Sequence, residues 1–64
     1  MTPIRVVVVD DQPLVRMGVR ALPAVEPDTE LVGEATDGRA GIELIRRSGP
    51  DVALIDIQSG LGPS

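Results

Sequence analysis

The sequence has 64 residues, 42% of them apolar, which suits one small globular domain with a marginal core. It contains no cysteine, histidine or aromatic residue, so disulfides, Cys-based zinc sites, Ser-His or Cys-His nucleophiles and base-stacking platforms are excluded. Ten acids against six arginines, with no lysine, give a net charge of −4 and disfavour sequence-independent binding to nucleic acid or an anionic membrane.

The first apolar run, Ile4-Arg5-Val6-Val7-Val8-Val9, is β-branched and nearly unbroken, as in a strand buried on both faces. It is too short to span a membrane, and no signal peptide precedes it, so cytoplasmic residence is the default expectation. From Pro13, apolar residues recur at Leu14, Val15, Gly18, Val19 and Leu22, with Arg16 and Arg20 on the other face, which predicts a helix. Asp11 or Gln12 can cap its start, Pro13 suits its first turn, and Pro23 should end or kink it. Residues 31–35, Leu-Val-Gly-Glu-Ala, read as a shorter edge strand. A second helix is expected from about Gly38 to Ser48, capped by Asp37 and stopped by Gly49-Pro50. Ile42, Leu44 and Ile45 should face inward there, Glu43 can pair with Arg46 or Arg47, and Gly41 in the interior costs about 1 kcal/mol relative to alanine. Val52-Ala53-Leu54-Ile55, closed by Asp56 and Ile57, reads as a third, buried strand. The tail from Ser59 to Ser64 has no pattern.

Strand, helix, strand, helix, strand implies an α/β fold with parallel strands and right-handed crossovers. The doubly buried first strand should lie in the centre, giving the order 2-1-3, with one helix on each face. Asp10 and Asp11 follow the first strand and Asp56 ends the third. Ligands of doubly wound sheets bind beyond the carboxyl ends of strands where successive connections diverge, which here is between strands one and three. Each aspartate alone reads more readily as a cap or a solvated acid than as a functional group, and it is the three together, at the ends of adjacent strands, that favour function. Three carboxylates at the strand spacing of about 4.8 Å repel by roughly 3 kcal/mol per pair at an effective dielectric near 20. A cation relieves that repulsion, and an oxygen-only site with open positions suits Mg²⁺ or Mn²⁺.

Three segments carry a family resemblance: residues 4–16, ending Val-Asp-Asp-Gln-Pro-Leu-Val-Arg; Val32-Gly33-Glu34-Ala35-Thr36-Asp37-Gly38; and Pro50-Asp51-Val52-Ala53-Leu54-Ile55-Asp56-Ile57. Together they resemble the first half of a receiver domain of a two-component response regulator. The second and third phrases look most like regulators whose receiver precedes a helix-turn-helix output domain. The resemblance implies a flavodoxin-like doubly wound sheet, N-terminal half only, with residues 1–58 as a partial receiver domain. It implies a phosphorelay module rather than an enzyme. Asp56 matches the phosphoacceptor, and Asp10, Asp11, Asp56 and the backbone carbonyl of Gln58 match the Mg²⁺ ligands. A sensor histidine kinase is the implied partner, and the implied parent is a transcription regulator.

The family contributes a hydroxyl residue after a fourth strand and a lysine after a fifth. Neither has a counterpart here, and Ser59-Gly60 stand where Met-Pro is usual, which resembles a truncation with a short unrelated tail. Impaired phosphotransfer is therefore expected, as is self-association through an unpaired edge of the third strand. Direct nucleic-acid binding and membrane binding are not expected. The alternative is a non-functional remnant or an interaction fragment without chemistry. A haloacid-dehalogenase-type enzyme would separate its two aspartates by one residue and follow them with Gly-Thr, which Asp10-Asp11-Gln12-Pro13 does not. A dinucleotide site would need glycine in the first turn, which is absent.

Overall fold

A computed structural model describes residues 2–56. In chain order its elements are β1 (Ile4–Asp10), α1 (Pro13–Arg20), α2 (Leu22–Val25), β2 (Thr29–Ala35), α3 (Gly38–Ser48) and β3 (Val52–Asp56). The strands form one parallel sheet in the order β2-β1-β3, as the apolar runs predict. The unpatterned tail and Gln58 lie outside the described residues.

The four consecutive valines of β1, Val6 to Val9, are all buried and form the core together with Ala35. Side chains alternate between the faces of a strand, so Val7 and Val9 point one way and Val6, Val8 and Asp10 the other. Over the first face lies α3: a Cβ at Gly41 would meet the Val9 side chain, and one at Gly33 would meet Leu44. Over the second lies α1, whose Arg16 and Arg20 reach Glu34, the residue paired with Val8. The β1–β2 register shifts once. Val6 pairs with Leu31 but Val7 pairs with Gly33, which leaves Val32 as an extra residue.

Helix ends follow local chemistry. Asp37 accepts a hydrogen bond from the Ala40 amide, 2.8 Å, and caps α3. Gly49 ends it at φ +55, the left-handed conformation that favours glycine. Pro23 divides the first helical stretch as expected: α1 stops at Arg20, and Pro23 sits in the first turn of α2. The start of α1 departs from expectation, because neither Asp11 nor Gln12 caps it with a side chain.

Four other expectations are corrected. β2 begins at Thr29, two residues earlier than the apolar run. β3, expected to be buried, is exposed along its whole length, because it pairs on one side only and both helices lean toward β1 and β2. Ile42, expected to face inward, is 58% exposed at the rim of a cleft between α3 and β3 that Ile45 and Ile55 also line. Among the described residues Glu43 forms no ion pair with Arg46 or Arg47.

Candidate functional site at the carboxyl ends of β1 and β3

The ladder between β1 and β3 runs from Val6 opposite Val52 to Asp10 opposite Asp56. Two acids that are 46 positions apart in the chain thus end adjacent parallel strands side by side. Asp11 follows directly, in the turn that leads into α1.

Their environments differ. Asp10 is 1% exposed, whereas Asp11 and Asp56 are open to solvent. The acceptors of Asp10 can be accounted for one by one. Its Oδ1 accepts from the Gln12 amide at 2.8 Å, closing a two-residue turn. Its backbone carbonyl accepts from Arg16 Nη1 at 2.7 Å. Its Oδ2 is buried without a partner. A buried carboxylate oxygen with no donor is costly, and such an atom calls for a proton or a cation. On this count the donor set fits a hard divalent ion. Among the described residues, Asp10, Asp11 and Asp56 do not themselves close into a three-carboxylate cluster around one point.

Behind the acidic turn lies an ion network absent from the sequence reading, which set Arg16 and Arg20 on the outer face of their helix. Arg20 grips Glu34 with two hydrogen bonds, Nε to Oε2 at 2.7 Å and Nη2 to Oε1 at 3.0 Å. Arg16 Nε lies 3.6 Å from Glu34 Oε1. The Arg20 hydrogen bonds hold the Glu34 carboxyl below its ordinary range, and Glu34 in turn raises the Arg20 guanidinium. The signal was present in the chain: two arginines one helical turn apart, and a single acid inside an otherwise apolar run. At the opposite end of the sheet, Arg5 donates its amide to Asp51 Oδ2 and its guanidinium to the Gly49 carbonyl, which pins the entry of β3 to β1.

No protein-family model matches the chain. It is 46% identical over 54 residues to the transcriptional regulatory protein LiaR of Bacillus subtilis (strain 168), covering 84% of this chain and 26% of that protein. It is 48% identical over 56 residues to the nitrate/nitrite response regulator protein NarP of Escherichia coli (strain K12), covering 88% and 26%. A similar match, 46% over 56 residues, joins it to a protein-glutamate methylesterase/protein-glutamine glutaminase of Anaeromyxobacter dehalogenans (strain 2CP-C), of which 16% is covered. Among solved structures, the signal receiver domain of the putative response regulator NarL from Mycobacterium tuberculosis aligns with a TM-score of 0.84 and 44% identity. That alignment covers 95% of this chain and 49% of the other. The chain therefore spans about a quarter of the curated relatives it matches and about half of the matched receiver chain.

Proposed function

This chain carries the N-terminal part of a response-regulator receiver domain, and from that premise we propose that it is a phosphorelay module whose Asp56 accepts a phosphoryl group. The observation that carries the proposal is the pairing of Asp10 with Asp56 at the strand ends, with Asp10 Oδ2 buried and unpartnered beside it. Asp10, Asp11, Asp56 and the backbone carbonyl of Gln58 would hold Mg²⁺. When bound, the ion supplies positive charge to the carboxylates and to the phosphoryl oxygens.

Asp56 does the chemistry. It is exposed at the end of an edge strand, where a second protein can reach it. One of its carboxylate oxygens attacks phosphorus as the bond to the donor's leaving atom breaks in line with it. The donor is an imidazole nitrogen of a sensor histidine kinase, or acetate oxygen when acetyl phosphate is used. Asp10, held at its other two acceptors, leaves Oδ2 as the acceptor still to be met at the strand end next to Asp56. The module is an acceptor rather than an enzyme. The names of the LiaR and NarP relatives support a place in a transcription regulator, and a cytoplasmic location is part of the same proposal.

The chain itself holds no lysine. Losing one preorganised donor at such a site typically costs about 10²–10³ in rate. The 64 residues alone are therefore expected to label at least about 10² more slowly than a complete receiver. A time course with acetyl phosphate and Mg²⁺, run beside an Asp56→Asn variant and a complete receiver, tests this. Labelling that persists in Asp56→Asn would refute the assignment, and labelling at the complete receiver's rate would refute the impairment.

A second reading rests on β3. Its outer edge has no strand partner among the described residues, and Val52, Leu54 and Ile55 are exposed on it. Such an edge recruits another strand, so the chain can act as a self-associating fragment. A sedimentation coefficient that stays at the monomer value at every concentration would dispose of that reading.

A further inference from the structure

We infer that Arg16 is a positioning residue for the acidic turn: its guanidinium, braced by Glu34 on β2, holds the Asp10 carbonyl and so aims Asp10 Oδ2 and Asp11 at the strand-end site. The inference rests on the phosphoacceptor reading and deepens it.

The connections form a chain of contacts from one sheet edge to the site. Glu34 is held by two hydrogen bonds from Arg20. Its Oε1 also lies 3.6 Å from Arg16 Nε, and the Arg16 side chain is only 16% exposed. With that end fixed, Arg16 Nη1 donates at 2.7 Å to the last carbonyl of β1. A charge-assisted bond of this length is stronger than a neutral one. It acts on the residue that matters, because Asp10 is both the end of the central strand and the first acid of the site.

Without Arg16 the turn would rest on one local bond, Gln12 amide to Asp10 Oδ1. That bond is local: it closes the turn on itself but ties it to no other element of the fold. Arg16 ties the peptide plane between Asp10 and Asp11 to β2 through Glu34. The direction of Asp10 Oδ2, and the course of the backbone into Asp11, are then set by the sheet and helix together. Helical position matters as well. Arg16 lies in the first half of α1, close enough to reach back six residues, and Arg20 stands one turn further along the same side.

The test uses the 64-residue chain and three variants, Arg16→Met, Arg16→Lys and Glu34→Gln. Arg16→Met keeps the aliphatic stem and removes the donors. It is expected to raise the Mg²⁺ dissociation constant about tenfold, the lower end of what removing an outer partner of a metal ligand costs. The Gln12 amide should exchange its hydrogen faster, while the amides of Val7 and Val8 stay protected as in the parent. A purely structural role would instead lower the unfolding midpoint in EDTA and speed exchange throughout β1. Arg16→Lys keeps one donor and should recover part of the affinity, and it carries the test where Arg16→Met does not fold. Glu34→Gln should give an intermediate loss, because it frees the guanidinium without removing it. Parent-like Mg²⁺ affinity and parent-like Gln12 exchange in Arg16→Met would overturn the inference. If the parent itself binds no Mg²⁺, the metal-site reading fails, and Gln12 exchange alone decides the role of Arg16.

Discussion

Alanine at position 41 sets two magnitudes against each other. In the interior of a helix, alanine is favoured over glycine by about 1 kcal/mol, so on propensity alone Gly41→Ala should stabilise α3. The fold opposes it. A Cβ there would stand 2.7 Å from Val9 Cγ1 and 2.8 Å from Val9 Cγ2, closer than carbon atoms approach. Val9 is buried in the middle strand of the sheet and is β-branched, so its side chain is stiff about χ1. Because both methyl groups are crowded at once, rotating one away brings the other in, and α3 must lift instead. Overpacking of this kind costs about 1–3 kcal/mol, which exceeds the propensity gain. The net expectation is a loss of about 1 kcal/mol, or about 4–8 °C in melting temperature for a domain of this size. Gly18→Ala is the matched control, since nothing lies within 4 Å of a Cβ there. It should gain up to about 1 kcal/mol in α1. Urea unfolding of both variants, with the slope unchanged, reads the two signs directly. A Gly41→Ala midpoint equal to or above the parent's would refute the reasoning. So would a Gly41→Ala/Val9→Ala double variant showing no coupling between the two sites.

Asp10→Asn removes a buried charge whose Oδ2 has no donor, while the amide oxygen can still accept from Gln12. Its unfolding midpoint in EDTA is expected to rise, by about 1 kcal/mol, and stabilisation by Mg²⁺ is expected to vanish; a lower midpoint in EDTA would contradict the account of Asp10. Glu34 should make the fold acid-sensitive. Its folded pKa lies below the ordinary 4.5, so its contribution is fully present above that value and fades as pH falls through the lower folded one. Glu34→Gln should therefore lose less stability than the parent below pH 4.5, and equal acid sensitivity would count against the clamp.

The sheet order and the aspartates at the strand ends were legible because each rests on a local pattern. A run of valines needs cover on both faces, and an acid after such a run lies where the strand emerges. What lay across from each residue was not legible. Apolar periodicity marked Val52–Ile57 as buried, yet burial needs an element on top, and neither α1 nor α3 reaches β3 squarely. The same limit hid Arg16. Periodicity assigns the arginine to the polar face, but its long stem carries the charge back to the Asp10 carbonyl. Gly41 reads as a helix weakness in the sequence, and only the distance to Val9 turns it into a requirement.

The shift in register at Val32 leaves β2 with slack. If pairing ran on unbroken from Leu31, Glu34 would fall opposite Val9, beneath α3 and away from both of its arginines. Holding one residue outside the count prevents this, and it also means that β2 is one residue longer than its pairing requires. Loss of a single residue at 31 or 32 leaves Gly33, Glu34 and Ala35 opposite the same valines. Loss of one at 33 or 34 takes up the same slack but puts Val32 opposite Val7, where a side chain meets Leu44, and a single insertion after 33 moves the residues beyond it to the wrong face. Tolerance to a change of length within this one strand is thus confined to its first half, and the boundary lies at Gly33.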